Sequence, residues 1–448
     1  MPEPDASVRD GAALALAVRH LGKGRLFYLA EEAVRCNNPG MQKSLFYALI
    51  ALAPVVVLTL SGCRKTDPVP PPAVVGPAPP IVNKLGPVTE EEAQAFGRNL
   101  EAAIVNGDSV SADRLYRIPE LMERSISDID MPQSARAGAL EGIRTSSGRG
   151  VAAEFVNLVR QGGQFKVLRV RMKNERWWVV VRLMGENGAI AYQEIILQRH
   201  ADGKVASEDV YVMAAGEMLS QNFRRMILQL SAELPPKNQT KPDGKDRVFW
   251  DHIKAIKGIS AARRSGNHQE VVRFFNELPA ELQKEKSLLV VAITAAAFTS
   301  EKDQMRIVEI FRQHYPNDPA LDLISFDHFR LQKQFDQCIQ AIDRIDKVVG
   351  GDPYLAAFRA SARADAGQYR EAKWEVEKAI DIEPSIVRGY ETRTLISLRE
   401  KNYADTLVWL KRQVENCDVV FEEPRMREIS EYAQFFLVSY SYCTKISC

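Results

Sequence analysis

Six cysteines and six histidines are the residues of this 448-residue chain best suited to redox or metal chemistry. Cys36, Cys63, Cys338, Cys417, Cys443 and Cys448 form no CxxC pair, and the histidines are scattered. The spacing that structural zinc or a thioredoxin-like redox site needs is therefore missing. There is also no GxSxG, HExxH, P-loop or GxGxxG. Glu371 and Glu375 stand one helical turn apart, where two carboxylates could share a proton, yet a solvated helix face explains that spacing better. His200 adjoins the turn Ala201-Asp202-Gly203, where a solvated imidazole is expected. No catalytic residue, metal or cofactor is assigned, and the chain is not read as an enzyme.

One cysteine has a distinctive context. Residues 45–60, LFYALIALAPVVVLTL, form the only long apolar run; Lys43 lies just before it, and Leu60-Ser61-Gly62-Cys63 follows. Counted from Met41, a short cationic start, an apolar core and small residues before a cut site have the layout of a secretory signal peptide. The ending LSGC resembles the bacterial lipobox, whose cysteine is acylated on sulfur and becomes the mature N-terminus. That resemblance implies a lipid on Cys63 and a folded part facing the periplasm. Arg64 rather than aspartate follows, which by the same resemblance favours the outer membrane over the inner. Buried acyl methylenes supply about 0.8 kcal/mol each, so several chains on one cysteine anchor a protein firmly. A spanning helix is the alternative, but sixteen residues interrupted by Pro54 fall short of the roughly 20 a bilayer needs. Residues 1–40 are read as a false start upstream of Met41; a true cytoplasmic extension would favour the spanning helix.

The elements that follow must hold the folded part away from the bilayer and build it. Residues 64–88 read as a tether, because eight prolines in TDPVPPPAVVGPAPPIVNKLGP fix φ and remove donors. At about 3.1 Å per residue such a stretch reaches tens of ångströms. The apolar fraction of 46% and charged fraction of 26% are ordinary for globular domains. The net charge of +1 gives no global field to attract nucleic acid, so no nucleic-acid partner is expected. An exported chain meets oxidants, and one disulfide among Cys417, Cys443 and Cys448 is expected, with Cys338 a buried thiol.

Residues 89–234 read as an α+β domain. Thr89 and Glu92 give a capping box to a helix carrying Ala93, Phe96, Leu100 and Ile104. Further helical patterns cover about 111–126 and 132–160. The period then shortens: Phe165, Val167 and Val170, then Trp177, Val179 and Val181, then Ile190, Tyr192 and Ile195 lie in β-rich runs separated by turn residues. Trp177 and Trp178 fall on opposite faces, so one is core and the other lines a cleft or covers an edge. A strand at Val205–Met213 leads to a helix over about 215–232. Helices followed by an antiparallel meander make an α+β domain. The segments AFGRNLEAAIVNGDSVSADRLY and HADGKVASEDVYV resemble the first helix and last strands of the NTF2-like fold, a curved sheet wrapped by helices. The resemblance implies a conical pocket, which in the family's enzymes holds an Asp–His or similar pair; no such pair is identified by position.

After a linker at 235–247, residues 248–448 read as an all-α solenoid. The segment Pro353–Pro384, PYLAAFRASARADAGQYREAKWEVEKAIDIEP, resembles a tetratricopeptide repeat. Gly367, Tyr369, Glu371, Ala372, Ala379, Ile380 and Pro384 occupy its turn, second-helix and terminating positions. Tyr403 and Phe335 lie 34 residues either side of Tyr369, and Lys302 and His268 continue the register. Stacked helix pairs bury a continuous core that no single pair can. Residues 425–442 read as an extra helix on the end. By the family's geometry, the first helices line a groove with Asp327, Arg330, Tyr354, Asp365, Arg388, Glu391 and Arg399, and its mixed charge suits a peptide or protein ligand. The expected function is thus a lipid-anchored scaffold that binds a protein or peptide. The alternatives are small-molecule binding or turnover in the NTF2-like pocket, and a constitutive structural subunit of an envelope assembly.

Overall fold

A computed structural model describes residues 86–129, 150–185, 188–232 and 241–417, with 133, 136 and 137 between the first two stretches. The apolar run, Cys63, almost all of the tether, Cys443, Cys448 and the expected terminal helix lie outside the described residues.

Helix α1 (Glu90–Val105) begins as the sequence requires. Glu92 N donates to Thr89 Oγ1 at 3.3 Å, and Thr89 N donates to Glu92 Oε2 at 2.9 Å. Its buried stripe is Ala93, Phe96, Gly97, Leu100 and Ile104. The single helical pattern expected over 111–126 is broken in two, α2 (Ser109–Tyr116) and α3 (Ile118–Ser125). Arg117 takes a left-handed conformation at the break (φ 48°), and Pro119 starts the new helix where its missing N–H is harmless. Helix α4 (Gly150–Arg160) has its N-terminus closed from a distance, Ala152 N donating to Asp113 Oδ1 at 2.9 Å.

Strands β1 (Gln164–Lys173), β2 (Arg176–Met184), β3 (Ile190–Arg199), β4 (Val205–Val212) and the short β5 (Glu217–Met218) form one antiparallel meander in that order. The register separates two chemically different faces. Val167, Val179, Val181, Ile195 and Val210 share one face, and α1 packs there. Gly97 permits that approach, because a Cβ there would stand 3.1 Å from Val167 Cγ1. A bulge between Val167 and Arg169 keeps Val170 on the apolar side although it lies three residues past Val167. The other face carries Arg169, Arg171, Arg182, Tyr192, Glu194 and Tyr211. Helix α5 (Leu219–Ser231) closes this region against α3 and β4.

Everything described after residue 241 is helical. Helix α6 (Gly244–Asp251) precedes a row of hairpins: α7 (Ile253–Arg264) with α8 (His268–Asn276), then, after the short α9 (Ala280–Gln283), α10 (Lys286–Ala296) with α11 (Glu301–His314). There follow α12 (Pro319–Leu331) with α13 (Phe335–Val349), α14 (Pro353–Asp365) with α15 (Tyr369–Ile382), and α16 (Val387–Arg399) with α17 (Tyr403–Asn416). Second helices start at 268, 301, 335, 369 and 403. Two residues before four of these starts stands a left-handed residue: Gly266, Lys333, Gly367 and Lys401, with φ of 70°, 59°, 80° and 61°. The turn geometry is thus kept even where lysine replaces glycine. Each hairpin packs on the next. Ala357, Ala360, Ala364, Ala372 and Ala379 are fully buried in α14 and α15, where short side chains bring helices close. Buried apolar residues form one cluster extending from Ala93 to Trp409.

Candidate functional site

Much of the polar face of the sheet is covered by one edge of the hairpin row, with Lys166 and Lys173 at its open margin. Arg182 stands on β2 between apolar neighbours and is fully buried. Its Nη1 donates to Asp352 Oδ1 at 2.6 Å, and its Nη2 donates to Glu383 Oε1 at 2.5 Å and to Gln164 Oε1 at 3.3 Å. Its guanidinium lies 4.3 Å from the centre of the Tyr354 ring. Tyr192, opposite Arg182 on β3, donates its hydroxyl to Asp352 Oδ2 at 2.7 Å. Asp352 also caps α14 by accepting from Tyr354 N at 3.0 Å. Lys166 adds a second cation 3.2 Å from Glu383 Oε2.

Two further sets of contacts extend this seam. On β1, Arg169 donates to the Gly351 carbonyl at 2.6 Å, while Arg171 donates to the Val348 carbonyl and pairs with the buried Glu194. On β4, the Tyr211 hydroxyl donates to Asp318, the cap of α12, which also pairs with Lys286 Nζ at 2.6 Å. The sheet therefore touches the ends of second helices, the first turns of the next first helices and the turns between them.

Charge states follow from these neighbours. Burial works against the Arg182 cation, but its bonds to Glu383 and the charge of Asp352 outweigh that and raise its pKa above the ordinary value. Burial likewise pushes the Glu383 carboxyl up; the Arg182 hydrogen bonds and charge, with help from Lys166, overcome it and leave the carboxyl below its usual 4.5. Burial and the adjacent Asp352 carboxylate hold the Tyr192 phenol well above its usual 10.0, so it stays a donor. Burial and Asp318 do the same to Tyr211.

The residues singled out from sequence are divided by this seam. Tyr354 is buried beneath Arg182, and the Arg388 guanidinium lies 4.3 Å from the centre of the Phe358 ring. Glu391 is exposed. Asp327 lies on α12, with its side chain outside the described residues. The other three are brought together at the opposite ends of the first helices. Arg330 Nε lies 2.7 Å from Asp365 Oδ2, and Arg399 Nη2 lies 2.9 Å from Asp365 Oδ1. One carboxylate thus links two guanidiniums across three successive first helices, all three groups partly open to solvent. Cys417 ends α17 half-buried, and its expected disulfide partners lie outside the described residues. Cys338 is buried, as expected.

Two expectations are corrected. Glu375 is not on a solvated face: it is buried and pairs with Arg359 and Arg363. His200 is partly buried, its Nε2 lies 3.2 Å from the Ser207 carbonyl, and burial together with Arg117 lowers its pKa. Trp178 is the buried member of its pair, on the polar side of the sheet with its Nε1 donating to the Lys173 carbonyl at 3.1 Å, and Trp177 packs half-buried against the main core.

Comparison with known families, curated proteins and solved structures finds no match. Among the described residues, no helix is long and apolar enough to cross a membrane, and no group of His, Cys, Asp and Glu could hold a metal ion. The seam residues Arg182, Asp352, Glu383 and Asp318 were not picked out by sequence reasoning. The available signal was an arginine in the middle of the apolar run RWWVVVRLM.

Proposed function

We propose that this chain is a lipid-anchored scaffold of the bacterial envelope that holds a peptide or protein segment in its row of helical hairpins. The hairpins are read as divergent tetratricopeptide-like repeats and the α+β region as an NTF2-like brace. The acylated residue would be Cys63, with the proline-rich tether spanning the headgroup zone and the outer membrane preferred to the inner. The observation that carries the reading is the Arg330–Asp365–Arg399 ladder, built from the last turns of α12, α14 and α16, with Asp365 and Arg399 at matching places and Arg330 one residue earlier. Its guanidiniums suit the carboxylates and carbonyl oxygens of an extended partner. The sheet covers the opposite edge of the row.

The test is quantitative co-purification of the intact chain from detergent-solubilised envelopes, native against an R330Q/R399Q double variant. The double variant should melt close to the native temperature and recover at least tenfold less of its specific partner. Equal recovery would remove the ladder from partner binding. In the same cells Cys63→Ala should move the chain out of the membrane fraction.

A further inference from the structure

Four large apolar side chains left in the open stand on the second helices of the last two hairpins. They are Trp374 (68% exposed) and Ile382 (64%) on α15, and Val408 (53%) and Val414 (37%) on α17. A tryptophan two-thirds exposed on a rigid helix is unusual, and a cluster of such residues marks a docking surface. Trp374 and Val408 hold equivalent places, each five residues into its helix, counting from Tyr369 and Tyr403. The equivalent place on α13 is Gln340, exposed and polar, so the apolar character belongs to the end of the row.

Val414 shows why the end differs. Its equivalent on α15 is Ile380, which is buried at 7% exposure. Ile380 Cγ1 lies 2.8 Å from where a Cβ on Gly389 would stand, so the next hairpin covers it. Beyond α17 no further hairpin is described, and the corresponding seat around Val414 is open.

We propose that residues 425–442 of this same chain occupy this surface, bending over Val414 and running across the outer sides of α17 and α15 to Val408 and Trp374. The chain leaves α17 at Cys417, three residues past Val414, with residues 418–448 still to place. Within them Met426, Ile429, Ala433, Phe436 and Tyr440 recur at intervals of three and four, the apolar stripe of an amphipathic helix. Eighteen helical residues extend about 27 Å at about 1.5 Å per residue, more than the combined width of two helices of about 10 Å each. The occupant is therefore the protein's own C-terminal segment, and the partner-binding edge proposed above is independent of it.

A photoreactive benzophenone side chain placed at position 374 of the full-length protein tests this. Illumination should give adducts to residues 418–448 of the same chain, and the same group at position 408 should reach the same segment, whereas at position 340 it should not. Adducts to a second copy or to another protein, or yields no higher than at position 340, would overturn the proposal. As an independent readout, a chain ending at Cys417 should bind several-fold more of a hydrophobic dye such as anilinonaphthalene sulfonate than the full chain. Adding W374Q and V408Q to the shortened chain should abolish most of that gain. A gain that persists in the substituted chain would place the uncovered surface elsewhere.

Discussion

Arg182 concentrates the chemistry of this molecule in one buried cation. Stripping a guanidinium of water is expensive, and here Asp352, Glu383 and Gln164 replace the hydration of its two terminal nitrogens, while the buried Nε has no hydrogen-bond partner among the described residues. Such a group adds less to stability than its contacts suggest, but removing it leaves Asp352 buried without its counter-charge and Glu383 with Lys166 alone. R182A is therefore expected to lower the unfolding free energy by about 3–5 kcal/mol, measured by urea titration. An E383Q variant should show the pH signature of the pair. The Glu383 carboxyl lies below its unfolded value, so its contribution is present at neutral pH and disappears as pH falls through that lowered value. The native chain should out-melt E383Q at pH 7, and the difference should shrink as pH falls below the ordinary carboxyl value of 4.5. A constant difference across that range would remove the charge from the explanation. None of this was legible in the sequence, because the acids lie 170 and 201 residues from Arg182 and no local pattern connects them. The partly exposed residues Arg330, Asp365 and Arg399 were named as groove candidates from the resemblance to tetratricopeptide geometry, but the sharing of one carboxylate by two guanidiniums was not.

At the scale of elements, local chemistry was read well wherever a period or a cap fixed it. The capping box of α1, the meander and the helix starts near His268, Phe335, Tyr369 and Tyr403 all follow from such signals. The misplaced boundary at Arg117 shows the limit: the apolar pattern runs on through 111–126, while Pro119 and one left-handed residue turn the chain. The strand run of Phe165, Val167 and Val170 carried its own warning, a step of three where alternation asks for two, and the bulge at Val167/Arg169 accounts for it. Two substitutions test these elements. Lys333 occupies a left-handed turn position that glycine fills without a steric penalty, so Lys333→Gly should raise stability by up to about 1 kcal/mol in thermal unfolding. Gly97→Val should cost about 1–3 kcal/mol, because its side chain must displace Val167 and lift α1 from the sheet. A neutral Gly97→Val would mean that helix and sheet are less closely packed than the geometry requires.

For the whole molecule, the order of regions was legible, an antiparallel α+β part and then helices, whereas their mutual placement was not. Polar side chains on an antiparallel sheet ordinarily announce a wet face. Here they face a second set of polar groups, the helix caps Asp318 and Asp352 and the carbonyls of Val348 and Gly351. That exchange of water for protein partners makes the sheet a brace along one edge of the hairpin row. Hydrogen exchange on the native chain and on R182A measures this most directly. If the sheet braces the row, R182A should speed exchange together in β1–β3 and in the helical segments around residues 346–354 and 383–388. Faster exchange confined to the strands, with those helical segments unchanged, would contradict it.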